Sequence, residues 1–264
     1  MSASPTSFFW YELMTTDMKA AEAFYTAVVG WRPETWGGSG TPSYTVMNAG
    51  ERGVGGIMDI PDEVRQSGGQ PAWLGYIYAS DADAATAGVE KAGGAIHRPP
   101  TDIPGVGRFS VVADPQGVTF MLLQPDGPDQ PPVPAGTPGH VGWHELYTTG
   151  WQKAFDFYSS QFGWTKADAM DMGEMGIYQL FAAGDEPIGG MMDKPEQIPV
   201  PFWQFYFNVP AIDAATERVK ENGGQVLMGP MQVPGGSWIV QCLDPQGAAF
   251  ALVAPGDASG SKMV

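Results

Sequence analysis

Two glutamates occupy matching positions in the chain, Glu12 in WYELMTT and Glu145 in WHELYTT. Successive side chains of a strand point to opposite faces, so Trp10, Glu12 and Met14 are predicted to share one face and Leu13 to lie on the other. A carboxyl group held among Trp, Tyr and Met side chains is expected to have a raised pKa and to act as a general base. Both glutamates are therefore candidate catalytic residues. The alternative is a buried structural glutamate that hydrogen-bonds a nearby tyrosine or backbone amide.

Candidate ligand-binding residues occupy inward positions on the predicted strands around these glutamates. Phenol and amide groups at such positions can orient a ligand carbonyl, and methionines suit an adaptable apolar pocket. Ordinary core packing explains the same residues without a ligand, and both interpretations stay open. The set comprises Trp10, Met14, Tyr44, Tyr76, Tyr78 and Met121 in the first half of the chain, and Trp143, Tyr178, Gln204, Tyr206 and Asn208 in the second.

The two halves of the chain are copies of one sequence. Residues 9–31 align with residues 142–164, and residues 44–59 align with residues 178–193. From Trp73 and Trp203 onward the copies stay aligned through an Asp-Pro-Gln-Gly motif in each. The intervening segment contains many prolines, which disfavour both helix and sheet. We therefore predict a first domain over 1–124, a linker over 125–139, a second domain over 140–256 and a C-terminal tail over 257–264.

Each copy is predicted to contain two modules with the element order β-α-β-β-β. In the first copy, apolar residues recur at helical spacing from Met18 to Val28, and Gly30 ends the helix. A second strand–helix unit begins at Trp73, and a Pro-Gln-Gly turn joins its last two strands. The sequence thus predicts an α+β fold of two tandem domains, each a curved, cup-like mixed sheet with helices on its convex side.

Several motifs occur in the order found in one known family. They are the pattern D-x-x-x-A-x-x-F-Y-x-x-x-x-G-W over 17–31, the paired modules, the glycine pair at 93–94 and the Asp-Pro-Gln-Gly turn. Over nearly its whole length the chain resembles the vicinal oxygen chelate superfamily of glyoxalases, bleomycin resistance proteins and extradiol dioxygenases. Its W-x-E-L-x-T starts and tandem layout look like a bacterial group with two glyoxalase-like domains. The resemblance implies a monomer whose copies are related like the subunits of a dimer.

The resemblance also implies where a metal would bind. Metal-dependent members of the superfamily hold a divalent ion with His, Gln or Glu side chains on the concave strands. Only Gln204, among the corresponding side chains here, could ligate such an ion, so we expect neither a metal nor another cofactor, although a divalent metal stays possible. The corresponding positions carry Trp10, Leu74, Met121 and Ile57 or Met58 in the first copy, and Trp143, Gln204, Ala251 and Met191 or Met192 in the second.

Composition argues against several classes of function. The net charge of −16, with Lys and Arg scattered singly, argues against nucleic acid and membranes as partners and favours a small-molecule ligand. No apolar run reaches the roughly 20 residues that span a bilayer, and no signal peptide is recognisable, so we expect a cytoplasmic protein. Cys242 is expected to be a buried thiol, and His97, His140 and His144 are expected to be surface or structural residues.

Three functions are compatible with these features. The first is metal-free binding of a small apolar or aromatic molecule in two cupped pockets. The second is a glyoxalase-, isomerase- or dioxygenase-type enzyme that uses Glu12 or Glu145, with or without a divalent metal. The third is a non-catalytic interaction module. The missing metal ligands argue against an ordinary glyoxalase and the paired glutamates argue against the third function, so we favour binding.

Overall fold

The computed structural model describes residues 6–37, 43–127 and 131–256. The predicted C-terminal tail, 257–264, lies outside these residues. In the described part of the predicted linker, no residue after Pro125 belongs to a helix or a strand. None of the helices in the described ranges is long and apolar enough to cross a bilayer.

The first copy contains two βαβββ modules, the first of which carries an additional short helix. Asp17 caps the first helix by accepting from the backbone N–H of Ala20, and Gly30 ends it in the left-handed conformation. The elements are β1 (Phe8–Thr15), α1 (Met18–Val29), β2 (Arg32–Trp36), β3 (Tyr44–Ala49), β4 (Arg52–Asp59), α2 (Asp62–Gln66), β5 (Ala72–Tyr78), α3 (Ala82–Lys91), β6 (Ala95–Ile103), β7 (Gly107–Ala113) and β8 (Thr119–Pro125).

Within residues 131–256 the second copy repeats the two βαβββ modules without a counterpart of α2, and it has one 3₁₀ turn at Gly173–Met175. Asp193 accepts a hydrogen bond from the backbone N–H of Trp151 and so caps the first helix of this copy. The elements are β9 (Val141–Thr148), α4 (Trp151–Phe162), β10 (Thr165–Asp171), β11 (Ile177–Ala182), β12 (Pro187–Asp193), β13 (Phe202–Asn208), α5 (Ile212–Glu221), β14 (Gln225–Gln232), β15 (Trp238–Leu243) and β16 (Ala249–Ala254).

Each copy forms one eight-stranded mixed sheet. The strand orders are β2-β3-β4-β1-β5-β8-β7-β6 and β10-β11-β12-β9-β13-β16-β15-β14. Because β1 neighbours β5 and β9 neighbours β13, the two modules of a sheet come from the same copy. The predicted α+β fold, two tandem domains with cup-like sheets and helices on the convex side, is confirmed.

The strands at the sheet edges have no recognisable strand pattern in the sequence. β2 is exposed along its whole length, and β6 contains Pro99 and Pro100. An edge strand has a neighbour on one side only, so it tolerates proline and needs no buried apolar alternation. The sequence therefore reveals the inner strands more clearly than the outer ones.

The described residues pack into two compact units, each combining segments of both copies. Unit 1 comprises 6–10, 74–127, 131 and 144–204, and unit 2 comprises 11–37, 43–73, 132–143 and 205–256. In unit 1, α3 packs against α4, and in unit 2, α1 packs against α5. A unit is thus built from one module of each copy.

Unit 2 contains a buried relay of three hydrogen-bonded side chains. The indole of Trp73 donates from Nε1 to Tyr25 Oη at 2.8 Å, and Tyr25 Oη lies 3.1 Å from Asp244 Oδ2 and donates to it. The other oxygen, Asp244 Oδ1, accepts from the backbone N–H groups of Gln246 and Ala248 in the Pro-Gln-Gly turn. The turn of the second copy therefore holds a tyrosine from a helix of the first copy.

Unit 1 contains the same relay with the copies exchanged. Trp203 Nε1 donates to Tyr158 Oη at 3.0 Å, and Tyr158 Oη donates to Asp114 Oδ2 at 3.1 Å. Desolvation on burial raises the pKa of Asp114, while the turn N–H groups that it accepts from oppose the rise. The family's Asp-Pro-Gln-Gly motif therefore has a structural role in both units.

Candidate functional site

Glu12 lies on the face of its strand that is turned away from α1, within unit 2. Thr45 Oγ1 donates to Glu22 Oε1 of α1 at 2.6 Å, so the side chain of Thr45 lies on the side of β3 that faces the helix. Leu13 shares that side through the register of β1, β4 and β3, and it is fully buried. Glu12 is the register partner of Gly56 on the opposite face and is only 4% exposed.

Gly56 allows Tyr44 to pack directly against β4 beside this glutamate. A Cβ atom at position 56 would overlap the hydroxyl and ring of Tyr44, so the phenol lies over the glycine backbone. Because Glu12 pairs with Gly56, the carboxyl group and the phenol occupy adjacent positions on one face. Met14 and Met58 continue this face and are half-buried.

Unit 1 repeats this arrangement with Glu145, Gly190 and Tyr178. A Cβ atom on Gly190 would overlap the ring of Tyr178, and Gly190 is the register partner of Glu145. Glu145 is 7% exposed. We call each set the Glu–Gly–Tyr cluster. It combines a carboxyl group that can accept a hydrogen bond with a phenol that can donate or accept one.

The last module of each copy carries the other predicted tyrosines. In unit 2, Gln241 Nε2 donates to Tyr206 Oη at 2.7 Å. In unit 1, Tyr76 is in register with the buried Met121, and Tyr78 packs its ring edge-on against Phe9 with centroids 6.2 Å apart. The two modules therefore differ in the polar groups that they place on this face.

Some residues that were predicted to contact a ligand have structural roles or lie outside the Glu–Gly–Tyr clusters. Asn208 Nδ2 donates to the backbone oxygen of His140 at 3.0 Å and so ties β13 to the segment before β9. Gln204 is buried, whereas Trp10 and Trp143 are half-buried. The structure places Glu12 beside Tyr44 and Glu145 beside Tyr178, each pair within one unit.

The histidine and the cysteine on inner strands are buried groups. His144 Nδ1 lies 2.7 Å from the backbone oxygen of Ile188, and its ring stacks on Phe8 with centroids 4.9 Å apart. Desolvation lowers the pKa of His144 to about 4, so this imidazole is neutral at pH 7. Cys242 is the buried thiol that was predicted, and burial raises its pKa to about 12. The thiol of Cys242 is therefore protonated at neutral pH, and the imidazole of His144 is a weaker base than an exposed histidine.

Sequence reasoning missed three residues of these faces. Gly56 and Gly190 occur at matching places in GGIMD and GGMMD, so the repeat contained a signal for them. Gln241 corresponds to Val111 in the first copy, and only a residue-by-residue comparison of the copies would have singled it out.

The side chains at the positions that the resemblance assigns to metal binding do not fit a divalent ion. Indole, isobutyl and methyl groups offer no ligand, and a thioether is a poor one for a hard cation. Gln204 alone carries a suitable oxygen. Residues 6–37, 43–127 and 131–256 contain no group of three or more His, Cys, Asp or Glu that could hold a metal ion.

Sequence comparison finds relatives along most of the chain. It is 34% identical over 256 residues to the anthracycline biosynthesis protein DnrV of Streptomyces peucetius, which covers 92% of this chain and 91% of that protein. It is 33% identical over 249 residues to CFP32 of Mycobacterium tuberculosis, which is named as a candidate glyoxylase, covering 93% of this chain and 94% of the relative.

Solved structures with the same fold include a metal-bound glyoxalase and a dioxygenase. The Mn(II)-bound glyoxalase of Novosphingobium aromaticivorans aligns with a TM-score of 0.68 at 18% identity, covering 95% of this chain and 82% of that one. A homoprotocatechuate 2,3-dioxygenase of Brevibacterium fuscum aligns with a TM-score of 0.67 at 14% identity, covering 98% and 85%. The family model matches residues 7–122 and again residues 137–252. With both repeats matched and the fold shared, the chain belongs to the Glyoxalase/Bleomycin resistance protein/Dioxygenase superfamily.

Proposed function

We propose that the protein binds a small apolar or aromatic molecule without the divalent metal of its superfamily, and that the Glu–Gly–Tyr clusters contact this molecule. The observation that carries the proposal is the pair of glycines, Gly56 and Gly190, at which a missing Cβ lets a tyrosine pack beside a buried glutamate in both copies. The poor fit of the family's metal positions is a second support.

The chemistry of each cluster suits a ligand with both polar and apolar parts. The carboxyl group of Glu12 accepts a hydrogen bond from a ligand hydroxyl or N–H, and the phenol of Tyr44 donates one to a carbonyl. Half-buried methionines next to them contact an aromatic ring through their thioethers. The similarity to a protein named for anthracycline biosynthesis favours a planar aromatic ligand.

A second function uses the same residues for catalysis. A carboxyl group that is almost completely buried, beside a phenol, is able to remove a proton from a bound substrate. The similarity to a protein named as a candidate glyoxylase favours this alternative. In that case a dicarbonyl compound is turned over rather than merely bound.

The test begins with thermal-shift screening of small aromatic and dicarbonyl compounds in the presence of EDTA. Calorimetric titration of a compound found in this way then compares wild type with Glu12→Gln, Glu145→Gln and the double variant. Each substitution is expected to weaken binding at its own site about 5- to 150-fold, which corresponds to roughly 1–3 kcal/mol for an unpaired ligand donor.

Glu22→Gln is the matched control. Glu22 is also a buried glutamate of unit 2, but it lies on the helix side and accepts from Thr45, so its change should lower melting without altering affinity. If Glu12→Gln and Glu145→Gln behave like this control, the clusters are structural and the proposed role is rejected. Turnover by wild type that both substitutions abolish would establish the catalytic alternative.

A further inference from the structure

Three methionines, Met170, Met172 and Met175, lie in the hairpin that joins β10 to β11 in unit 1. Met170 is half-buried, whereas Met172 and Met175 are 37% and 54% exposed. A group of neighbouring apolar side chains that reach solvent is a common mark of a binding site. The corresponding segment of the first copy, 36–41, contains no methionine, so the duplicated fold itself does not require these side chains.

The backbone of the hairpin holds Met172 and Met175 close together. The N–H of Met175 lies 3.4 Å from the backbone oxygen of Met172 and donates to it, closing a turn whose end Cα atoms are within about 7 Å. Because Gly173–Met175 is a 3₁₀ turn, side chains three positions apart project on the same side. The N–H of Met172 also donates to the oxygen of Gly176 at 2.8 Å, which fixes the base of the turn.

Met170 lies two positions before Met172, near the end of β10. Residues two apart on a strand project from the same face, and their Cα atoms are about 7 Å apart. Met170 is the register partner of Tyr178, so it projects from the face that carries the Glu–Gly–Tyr cluster of unit 1. The hairpin thus places three thioethers on one side, at the edge of that face.

The chemistry of three neighbouring thioethers suits a soft monovalent cation. Thioether sulfur is a poor ligand for hard divalent ions, but it is one of the ligands that select Cu(I). Methionine is unbranched and has three rotatable bonds, so the three sulfur atoms can adapt to one ion. Asp171 and Glu174 are exposed in the same hairpin, and no Lys, Arg or His occurs along 167–193. The local charge is therefore negative and attracts a cation.

We propose that Met170, Met172 and Met175 form a binding site for one Cu(I) ion, with their three thioether sulfur atoms as the ligands. The site belongs to the second copy alone, because the first copy has no methionine in the corresponding segment. It lies in a hairpin at the edge of the sheet and differs in ligand chemistry from the family's divalent-metal positions. The inference goes beyond the proposed function, which concerns an organic molecule.

The test uses the Cys242→Val protein as its background, because this change removes the single thiol and introduces the residue of the first copy. Anaerobic competition with the chelator bicinchoninate measures the affinity for Cu(I), and one ion per chain is expected. Ag(I), a soft monovalent ion that is stable in air, is the probe for NMR. The first equivalent of Ag(I) should shift the methyl resonances of three of the 14 methionines, those of Met170, Met172 and Met175.

Leucine substitutions remove the sulfur atoms while nearly conserving side-chain volume, so the variants should melt as the background protein does. Each single change at the three positions should weaken Cu(I) binding at least about 10-fold, since losing a ligand costs no less than losing a group that supports one. The triple variant should not bind. Met228→Leu combined with Met231→Leu is the matched control, because these residues have the same spacing and are 41% and 42% exposed, but lie on strand β14.

The control should bind Cu(I) as tightly as the background protein does. Binding that persists in the triple variant, or that is lost in the control, would overturn the inference. Methyl shifts confined to other methionines, or no binding of Cu(I) and Ag(I) by the background protein, would overturn it as well. The proposed function stands or fails separately, because its organic ligands are titrated in EDTA without added metal.

Discussion

The two copies have the same residues in their buried relays but different residues on the faces of their last modules. The relays Trp73–Tyr25–Asp244 and Trp203–Tyr158–Asp114 have the same residues and matching hydrogen bonds in both units. On the face of the sheet that is turned away from the helices, the cross-strand row of side chains that contains Tyr206 and the matching row that contains Tyr76 share only the tyrosine. A buried relay changes only at the cost of leaving a donor unpaired. A face made largely of apolar contacts tolerates replacement, so the copies could diverge there.

The largest expected effect comes from removing the aspartate of either relay. Asp114 accepts from the N–H groups of Gln116 and Val118 and from Tyr158, so Asp114→Ala leaves three donors without this acceptor. At about 1–3 kcal/mol for each buried donor, the free energy of unfolding should fall by at least about 3 kcal/mol. Asp244→Ala should cost the same. Urea denaturation measures both losses.

Asp83→Ala is the control for these variants. Asp83 is exposed and hydrogen-bonds Arg108 at the surface, so its loss should shift the urea midpoint far less. Clearly unequal losses for Asp114→Ala and Asp244→Ala would contradict the view that the relays are equivalent.

A pH-dependent difference in stability is expected on the helix side of the sheets, where the two copies have different residues. His144 corresponds to Tyr11 in the first copy, and burial lowers the pKa of His144 from 6.5 to about 4. The unfolded chain therefore binds a proton that the folded chain does not, so stability falls as the pH drops from 6.5 toward 4. The loss should approach about 3 kcal/mol near pH 4.

His144→Tyr places the residue of the first copy at this position. Comparing it with wild type isolates the loss of stability that His144 causes at low pH. The difference in unfolding free energy between wild type and variant, measured with urea from pH 7 to pH 4, should shift in favour of the variant as the pH falls. Carboxyl groups such as Asp114 titrate in both proteins and cancel in the difference. A difference that stays constant with pH would show that His144 is not a neutral buried group.

The smallest expected effect on stability comes from removing one hydroxyl group from a relay. Tyr25→Phe leaves the indole N–H of Trp73 without its acceptor, and Tyr158→Phe does the same to Trp203. Each should lower the free energy of unfolding by about 1–3 kcal/mol, less than the matching aspartate substitution. Thermal and urea unfolding of the two variants provide the measurement. A loss in one unit and none in the other would show that only one relay contributes.

Much of the fold follows from local patterns in the sequence. Helical spacing and the capping residues Asp17 and Gly30 predict α1, and the aligned copies predict a second domain of the same kind. Alternation along β1 predicts that Glu12 and Leu13 face opposite ways, as the structure shows. The edge strand β2 has no such pattern because it is exposed throughout.

The candidate site was only partly predictable, because local patterns identify residues but not the contacts between strands. The paired glutamates and tyrosines are visible as repeated residues. Their contact is not, because it depends on the register of β3 and β4, which brings Tyr44 over Gly56. A site residue such as Gln241, which has no repeated counterpart, is recognised only when its partner Tyr206 is seen across an intervening strand.

The sequence by itself determined that the chain is a duplication of βαβββ modules, because periodicity, turn motifs and repeats are properties of neighbouring residues. Only the tertiary structure decided which modules share a compact unit and which side chains meet within it. Tyr25 and Asp244 are 219 residues apart, and their contact arises because α1 of the first copy packs against α5 of the second. Such pairings depend on which buried surfaces fit together, and a single sequence does not encode that fit in any local pattern.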